Sequence, residues 1–293
     1  MITRREFGAL AAAAAQTPQY IKGIGLVSFP REMPLGEKCT LAREAGFKAI
    51  EIRCIEDISI PLNRAQIAEY KRTASNEGIT LATLWASGRL YADGAPHDLD
   101  PGKRAKAVES LTRAIEAAAE LGIDSILINA VRVGTGPKFM NRYEDVYKGF
   151  QEVLKKCESA CAKHKVMLLP ENVGNRFLLS PLEFRRFIDE LHSKWFGVYF
   201  DVGNVLLQGY PQDWIPTLGS RIKRIHFKDF KFDGNYSGKM VELLAGDLDW
   251  PATMAAIRKI GYRGFIVDEW GAGPDFRERL RQSSQAIDKI LAM

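Results

Sequence analysis

This sequence is poor in the features that mark several common kinds of protein. Its four cysteines show no zinc-finger spacing, and we interpret the i, i+4 pair Cys157 and Cys161 as small packing residues. No apolar run reaches the roughly 18 residues that a membrane-spanning helix needs. Lysine and arginine form only short runs, without the dense basic tract and interleaved aromatics of a nucleic-acid-binding protein. With 46% apolar and 26% charged residues, the chain is therefore expected to be a globular domain that binds no nucleic acid.

The first residues predict an export signal rather than part of the fold. Residues 3–7 contain paired arginines, and a short apolar, alanine-rich stretch follows them. This order is typical of a bacterial twin-arginine signal peptide. We expect residues 1–17 to be cleaved and residues 18–293 to form the mature domain, which would be periplasmic or secreted without a membrane anchor. The alternative interpretation is an alanine-rich helix that stays attached.

Eight short apolar segments alternate with segments of helical periodicity along the rest of the chain. They cover residues 21–28, 49–53, 79–86, 125–130, 166–171, 197–201, 222–227 and 264–269. Strands that are apolar on both faces are typical of parallel sheets covered by helices. This strict alternation predicts a single α/β domain, a (β/α)8 TIM barrel. A doubly wound open sheet is the alternative, but residues 29–34 lack the glycine-rich phosphate turn expected after its first strand.

The pattern also predicts one helix cap and one long loop. Asp100 is predicted to cap the third helix, with Pro101 at its first position. Residues 230–249 are predicted to form a long polar loop before the seventh helix.

Four strands in the C-terminal half each end in a side chain that can bind a metal. These side chains are Glu171, Asp201, His226 and Glu269. Glu269 is preferred to the adjacent Asp268 because strand side chains alternate between faces. The carboxyl ends of parallel barrel strands share one face, so the four side chains are expected to converge. Three carboxylates and one imidazole suit one divalent cation, such as Mn²⁺, Co²⁺, Mg²⁺ or Zn²⁺.

This ligand set predicts proton transfer beside a carbonyl group. A divalent cation bound to a carbonyl and a neighbouring hydroxyl acidifies the C–H between them. Glu171 and Glu269 would be the catalytic pair, one removing the proton to give a cis-enediolate and the other returning a proton. The predicted function is a metal-dependent sugar isomerase or epimerase. The alternative on the same site is a lyase or dehydratase, in which loss of a β-substituent follows, for example the aglycone of a 3-keto-glycoside.

Further side chains near the strand ends are predicted to support this chemistry. Contacts with the substrate are expected from Lys228, Trp85, Glu51 and Asn129. Orienting hydrogen bonds to the ligands are expected from Asn204 and Asp229. Because sugar phosphates are cytoplasmic, export favours a free or glycosidic sugar or keto-sugar as the small-molecule partner. The sequence leaves open whether the protein forms a homo-oligomer.

The strand ends resemble those of the xylose-isomerase-like sugar isomerase/epimerase superfamily. The resemblance rests on the segments 170–172 (PEN), 200–204 (FDVGN), 225–229 (IHFKD), 267–269 (VDE), 246–250 (GDLDW) and 261–264 (GYRG). It implies a (β/α)8 barrel in which Glu171, Asp201, His226 and Glu269 bind one divalent cation. It also implies that Glu171 and Glu269 form the acid/base pair.

Two positions depart from the members of this superfamily that epimerise free ketoses. Those members carry a histidine where this chain has Asn204 and an arginine where it has Phe232. The motifs at 201–204 (DVGN) and 226–229 (HFKD) are closer to those of the pentulose-phosphate epimerase and dehydratase branches. A nuclease like the distant relative endonuclease IV is disfavoured because this chain has only four histidines. A non-catalytic sugar-binding barrel is disfavoured by the intact ligand set.

Overall fold

A computed structural model describes residues 20–129, 131–135, 138–234 and 237–293, and the predicted export signal lies outside them. Eight parallel strands of one sheet provide the framework. In chain order they are β1 (Tyr20–Gly25), β2 (Ala49–Arg53), β3 (Thr80–Ala86), β4 (Ser125–Ile128), β5 (Met167–Pro170), β6 (Val198–Asp201), β7 (Ile222–Phe227) and β8 (Gly264–Asp268). All eight coincide with predicted strands to within a few residues at each end.

The order of the strands makes the sheet a nearly closed ring. The hydrogen-bonded neighbours run β5-β4-β3-β2-β1-β8-β7-β6. The two end strands, β5 and β6, are joined by isolated parallel bridges, Leu168 with Phe196 and Glu171 with Tyr199. This topology confirms the predicted (β/α)8 barrel and is not that of a doubly wound open sheet.

Helices follow the strands and cover the outside of the barrel. The described α-helices are α1 (Leu35–Glu44), α2 (Arg64–Asn76), α3 (Pro101–Leu121), α4 (Tyr143–His164), α5 (Pro181–Asp189), α6 (Pro211–Leu218), α7 (Trp250–Lys259) and α8 (Phe276–Leu291). The predicted cap of α3 is confirmed, since the Asp100 side chain accepts a hydrogen bond from the Lys103 amide. Among the described residues, no helix has both the length and the apolar character to span a bilayer.

The barrel contains a small interior layer that is separate from the main core. The main core lies between the strands and the surrounding helices. Inside the ring, Leu127, Leu169 and Tyr199 pack together, with Trp85 and Met167 partly buried beside them. Leu169 and Tyr199 each lie two residues before an acidic residue at a strand end, Glu171 and Asp201. This layer therefore lies beneath that part of the candidate site.

The segment predicted to be a long loop contains a β-hairpin. Strand Asp229–Gly234 pairs antiparallel with Ser237–Val241, with an irregular register near its tip. Most of the hairpin positions are exposed or half-buried. The sequence prediction of a loop at 230–249 was therefore wrong here, because strands that bury so little carry no continuous apolar run.

Candidate metal centre and active site

Four side chains meet at the carboxyl end of the barrel. Each offers one ligand atom, and these atoms lie within 4.8 Å of one another: they belong to Glu171, Asp201, His226 and Glu269. Exposure of their side chains is 0% for Asp201 and His226, 1% for Glu171 and 13% for Glu269. The predicted convergence is therefore present, and each of the four side chains comes from the end of a different strand.

His226 faces the carboxylates through its Nδ1 atom. This atom lies 2.9 Å from Glu171 Oε1, 3.2 Å from Glu269 Oε2 and 3.8 Å from Asp201 Oδ2. The other ring nitrogen, Nε2, lies 3.1 Å from Glu51 Oε1 on the opposite side. Burial alone would lower the pKa of His226, but Glu51, Glu269 and Glu171 together raise it well above its ordinary value.

Asp201 is held by backbone amides on one oxygen, which leaves the other for the cluster. Its Oδ1 accepts hydrogen bonds from the amides of Gly203 and Asn204, each at 2.8 Å. The Asn172 side chain also pairs with the Asp201 backbone, donating to its carbonyl at 2.7 Å and accepting from its amide at 2.9 Å. Asn204 in turn donates to the Asn172 carbonyl at 3.0 Å. Asn204 therefore lies where an orienting residue was predicted, whereas no role was predicted for Asn172.

Lys228 reaches into the same cluster. Its Nζ lies 3.0 Å from Asp201 Oδ2 and 2.5 Å from Glu269 Oε2. Burial lowers the pKa of Lys228, but Asp201, Glu269 and Glu171 raise it well above its ordinary value. Gly203 makes room for this lysine, because a Cβ there would lie 2.6 Å from Lys228 Cβ. Contact between Lys228 and a substrate stays a prediction.

The donor atoms of this cluster fit a divalent cation. Glu171 Oε2 is buried and has no hydrogen-bond partner among the described residues. Asp201 Oδ2 and Glu269 Oε2 are also buried, and both lie within ion-pair distance of Lys228 Nζ. A buried carboxylate oxygen without a donor, such as Glu171 Oε2, is costly unless a cation compensates it. Three carboxylate oxygens and one imidazole nitrogen are a suitable set for Mn²⁺, Co²⁺, Mg²⁺ or Zn²⁺, and they do not select among these ions.

The two glutamates differ in their surroundings. Burial raises the pKa of Glu171, with its hydrogen bond to His226 acting in the opposite direction. Burial also raises the pKa of Glu269, but Lys228 and His226 outweigh it and lower that pKa below its ordinary value. The neighbouring Asp268 turns away from the cluster and accepts a hydrogen bond from Ser283 Oγ at 2.6 Å. Strand alternation therefore leaves Glu269 as the carboxylate that reaches the cluster, as predicted.

The residues predicted to contact substrate lie at two depths. Trp85 and Asn129 are half-buried at the carboxyl ends of β3 and β4, near the barrel mouth, and Trp85 Nε1 donates to Asn129 Oδ1 at 3.0 Å. Glu51 instead lies below the cluster, 1% exposed. Its two oxygens bond His226 Nε2 and the Tyr199 hydroxyl. β2 continues past Glu51 to Arg53, and contact between Glu51 and a substrate stays a prediction.

Asp229 does not orient the ligands, contrary to the prediction. Its carboxylate is 1% exposed and accepts hydrogen bonds from four donors of its own segment. The donors are the amides of Phe230, Leu244 and Leu248 and the Trp250 indole, at 2.9 to 3.3 Å. Gly246 is needed at this point, since a Cβ would lie 2.0 Å from Asp229 Oδ1. Asp229 follows Lys228, which points inward, and alternation therefore turns Asp229 outward onto this segment.

Arg53 is a residue near the mouth for which the sequence predicted no role. It pairs with Trp85 in the register of β2 and β3, so both point to the same side of the sheet. Its guanidinium forms two hydrogen bonds with the Asp57 carboxylate, at 2.9 and 3.0 Å. An arginine at the last position of a strand carries no sequence signal that separates this placement from a solvated one.

Comparison with known proteins agrees with this fold. The family model described as "Xylose isomerase-like TIM barrel" matches residues 39–290. This chain belongs to that family. Among its sequence relatives is the L-ribulose-5-phosphate 3-epimerase UlaE of Salmonella heidelberg. The two are 24% identical over 263 residues, which cover 85% of this chain and 88% of UlaE.

Solved structures of the same fold have lower sequence identity. The 3-keto-D-glucoside 4-epimerase YcjR from E. coli, in its apo form, gives a TM-score of 0.74 at 19% identity, covering 92% of this chain and 99% of YcjR. The IolI protein, solved with a bound zinc atom, gives a TM-score of 0.76 at 13% identity, covering 93% of this chain and 98% of IolI. At these identities the structures show a shared fold.

Proposed function

We propose that this protein is a divalent-metal-dependent sugar isomerase or epimerase that transfers a proton beside a carbonyl group. The observation that carries the proposal is the cluster of four ligand atoms within 4.8 Å, three of them carboxylate oxygens. The relatives named above as sugar epimerases support the reaction class. In our proposal Glu171, Asp201, His226 and Glu269 hold one divalent cation.

The chemistry divides between the cation and the two glutamates. When bound, a divalent cation would polarise a substrate carbonyl and acidify the neighbouring C–H. Glu171 Oε1 and Glu269 Oε2 approach His226 Nδ1 at 2.9 and 3.2 Å, so two separate carboxylates border the same small space. One of them would accept the proton from carbon, and the other would donate a proton to the opposite face or the next carbon.

Residues around the glutamates would position the substrate. The Lys228 ammonium, 13% exposed, would donate a hydrogen bond to a substrate oxygen. Trp85 would wall the mouth, with its indole orientation fixed by Asn129. Asn172 and Asn204 would keep Asp201 in place through the contacts described above.

We further propose that the substrate is an unphosphorylated sugar or keto-sugar, free or glycosidic. This part rests on the paired arginines and alanine-rich stretch of residues 1–17, which support export by the twin-arginine route to the periplasm or beyond. The relative UlaE is named for a phosphorylated pentulose. YcjR is named for a keto-glucoside, which lacks a phosphate.

Solvent isotope exchange tests the reaction. The Mn²⁺-loaded protein is incubated in D₂O with a panel of ketoses and 3-keto-glycosides, and deuterium uptake and aglycone release are followed. We expect deuterium at the carbon beside the carbonyl, together with an epimer or isomer. Glu171→Gln and Glu269→Gln should each lower the rate by about 10²- to 10⁴-fold, the usual contribution of a general acid or base.

A neighbouring carboxylate provides the control. Asp268→Asn changes the adjacent residue, which faces Ser283 rather than the cluster, and should retain exchange. Aglycone release without an epimer would identify the lyase or dehydratase instead. Absence of exchange with every substrate and cation would refute the proposal.

A further inference from the structure

We infer that Glu51 and Tyr199 are positioning residues that present Nδ1 of His226 to the cation. The inference rests on the proposed function and concerns how this chain prepares its metal site. Neither residue was predicted to act in this way from the sequence.

Glu51 fixes the imidazole from the side opposite the ligands. Its Oε1 lies 3.1 Å from His226 Nε2, while His226 Nδ1 faces Glu171 and Glu269. A carboxylate accepts hydrogen bonds and cannot donate them, so Nε2 must carry a hydrogen in this contact. A neutral imidazole with its hydrogen on Nε2 has its lone pair on Nδ1. Glu51 therefore selects the tautomer that can bind a cation among the three carboxylates.

Tyr199 holds both Glu51 and the imidazole ring. Its hydroxyl donates to Glu51 Oε2 at 2.8 Å, so each Glu51 oxygen has one defined partner. Its ring centroid lies 4.2 Å from that of His226, with the planes tilted by 47°. Tyr199 is fully buried in the interior layer of the barrel. Rotation of either the carboxylate or the imidazole would break one of these contacts.

Plain structural packing is the alternative explanation for this pair. It predicts that losing the Glu51 charge would destabilise the fold without changing the affinity for a cation. A positioning role predicts the reverse pattern, because partners behind a ligating histidine typically change metal affinity by about 10- to 100-fold. The two explanations are therefore separated by metal affinity and tautomer state, neither of which depends on turnover.

Metal titration of three variants tests the inference. The dissociation constant for Mn²⁺ is measured without substrate for the wild type, Glu51→Gln, Tyr199→Phe and the control Thr83→Val. Thr83 pairs with Glu51 in the strand register, is buried and has no hydrogen-bond partner for its hydroxyl among the described residues. We expect the constant to rise about 10- to 100-fold in Glu51→Gln. We expect a smaller rise in Tyr199→Phe and none in Thr83→Val.

The tautomer is measured separately by ¹⁵N NMR of histidine-labelled, Zn²⁺-loaded protein. The chain has four histidines, so the ring nitrogen that shifts on zinc binding can be followed directly. We expect a hydrogen on Nε2 and zinc on Nδ1 in the wild type. This readout needs no variant and therefore holds even if Glu51→Gln fails to fold.

The outcomes separate this inference from the proposed function. Zinc on Nε2, or an unchanged Mn²⁺ constant in a folded Glu51→Gln, would overturn the positioning role and leave the metal-dependent function standing. A wild type that binds metal but exchanges no substrate proton would refute the proposed reaction, while the affinity series still decides on Glu51. A wild type that binds no divalent cation would overturn both.

Discussion

Replacement of Lys228 by methionine should change metal affinity and metal-free stability in opposite directions. The Lys228 ammonium lies 3.0 Å from Asp201 Oδ2 and 2.5 Å from Glu269 Oε2. These are two of the oxygens that the proposed cation would bind. In the metal-free protein the lysine therefore compensates buried negative charge, and in the loaded protein it competes with the cation for the same atoms.

The size of both changes follows from the burial of Lys228 and its two carboxylate partners. Side-chain exposure is 13% for Lys228, 13% for Glu269 and 0% for Asp201. Removing one partner of a buried ion pair costs about 3–5 kcal/mol. If the cation replaces the lost charge, this cost is confined to the metal-free form. A difference of about 3 kcal/mol then corresponds to Mn²⁺ binding that is about 100-fold tighter, at 1.4 kcal/mol for each tenfold change.

Urea denaturation with and without Mn²⁺, combined with calorimetric titration, measures both quantities. Lys231→Met is the matched control, because Lys231 lies in the hairpin that directly follows Lys228, is 51% exposed and pairs with Asp247 at the surface. It should change the free energy of unfolding by about 1 kcal/mol or less. Equal destabilisation of the loaded and metal-free Lys228→Met protein would refute the competition argument, as would weaker Mn²⁺ binding.

Three further predictions concern the hairpin segment and the cation. Asp229→Asn should lower the free energy of unfolding by about 2–4 kcal/mol, since one amide oxygen cannot replace two acceptor oxygens; a loss of Mn²⁺ affinity at unchanged stability would contradict its assignment to the hairpin. Gly246→Ala should destabilise the same segment by about 1–3 kcal/mol through its clash with Asp229, seen as a lower Tm and faster proteolysis of residues 230–249. Chelation should lower Tm, and Mn²⁺ at 100 times its Kd should restore about 2.7 kcal/mol; a Tm insensitive to divalent cations would exclude the centre.

The barrel and its ligand positions were predictable because their signals are local. Buried parallel strands need apolar residues on both faces, and that pattern is readable in short segments such as residues 167–170 (MLLP). Strand alternation also chose Glu269 over Asp268, which the contact of Asp268 with Ser283 supports. The same rule places Lys228 inward and Asp229 outward, so the true position of Asp229 could have been obtained from the sequence.

Depth inside the barrel was not predictable in the same way. Glu51 has the inward parity of a substrate ligand, but the stagger of neighbouring strands places it below His226. This stagger depends on pairing across the whole ring, and no single segment records it. The role of Tyr199 was hidden for the same reason, since its partner Glu51 is 148 positions away in the chain.

The junction between β5 and β6 has a mechanical consequence. Only two isolated bridges join these strands within the described residues, where other neighbours in the ring share longer ladders. Glu171 directly follows β5 and Asp201 is the last residue of β6. The Asn172 side-chain amide joins the two strand ends through its hydrogen bonds to the Asp201 backbone. A metal bound by both carboxylates would join the ends of β5 and β6. Amide hydrogen exchange along these two strands should therefore slow when the metal is bound. Closure of the barrel between β5 and β6 would then depend on occupancy of the metal site.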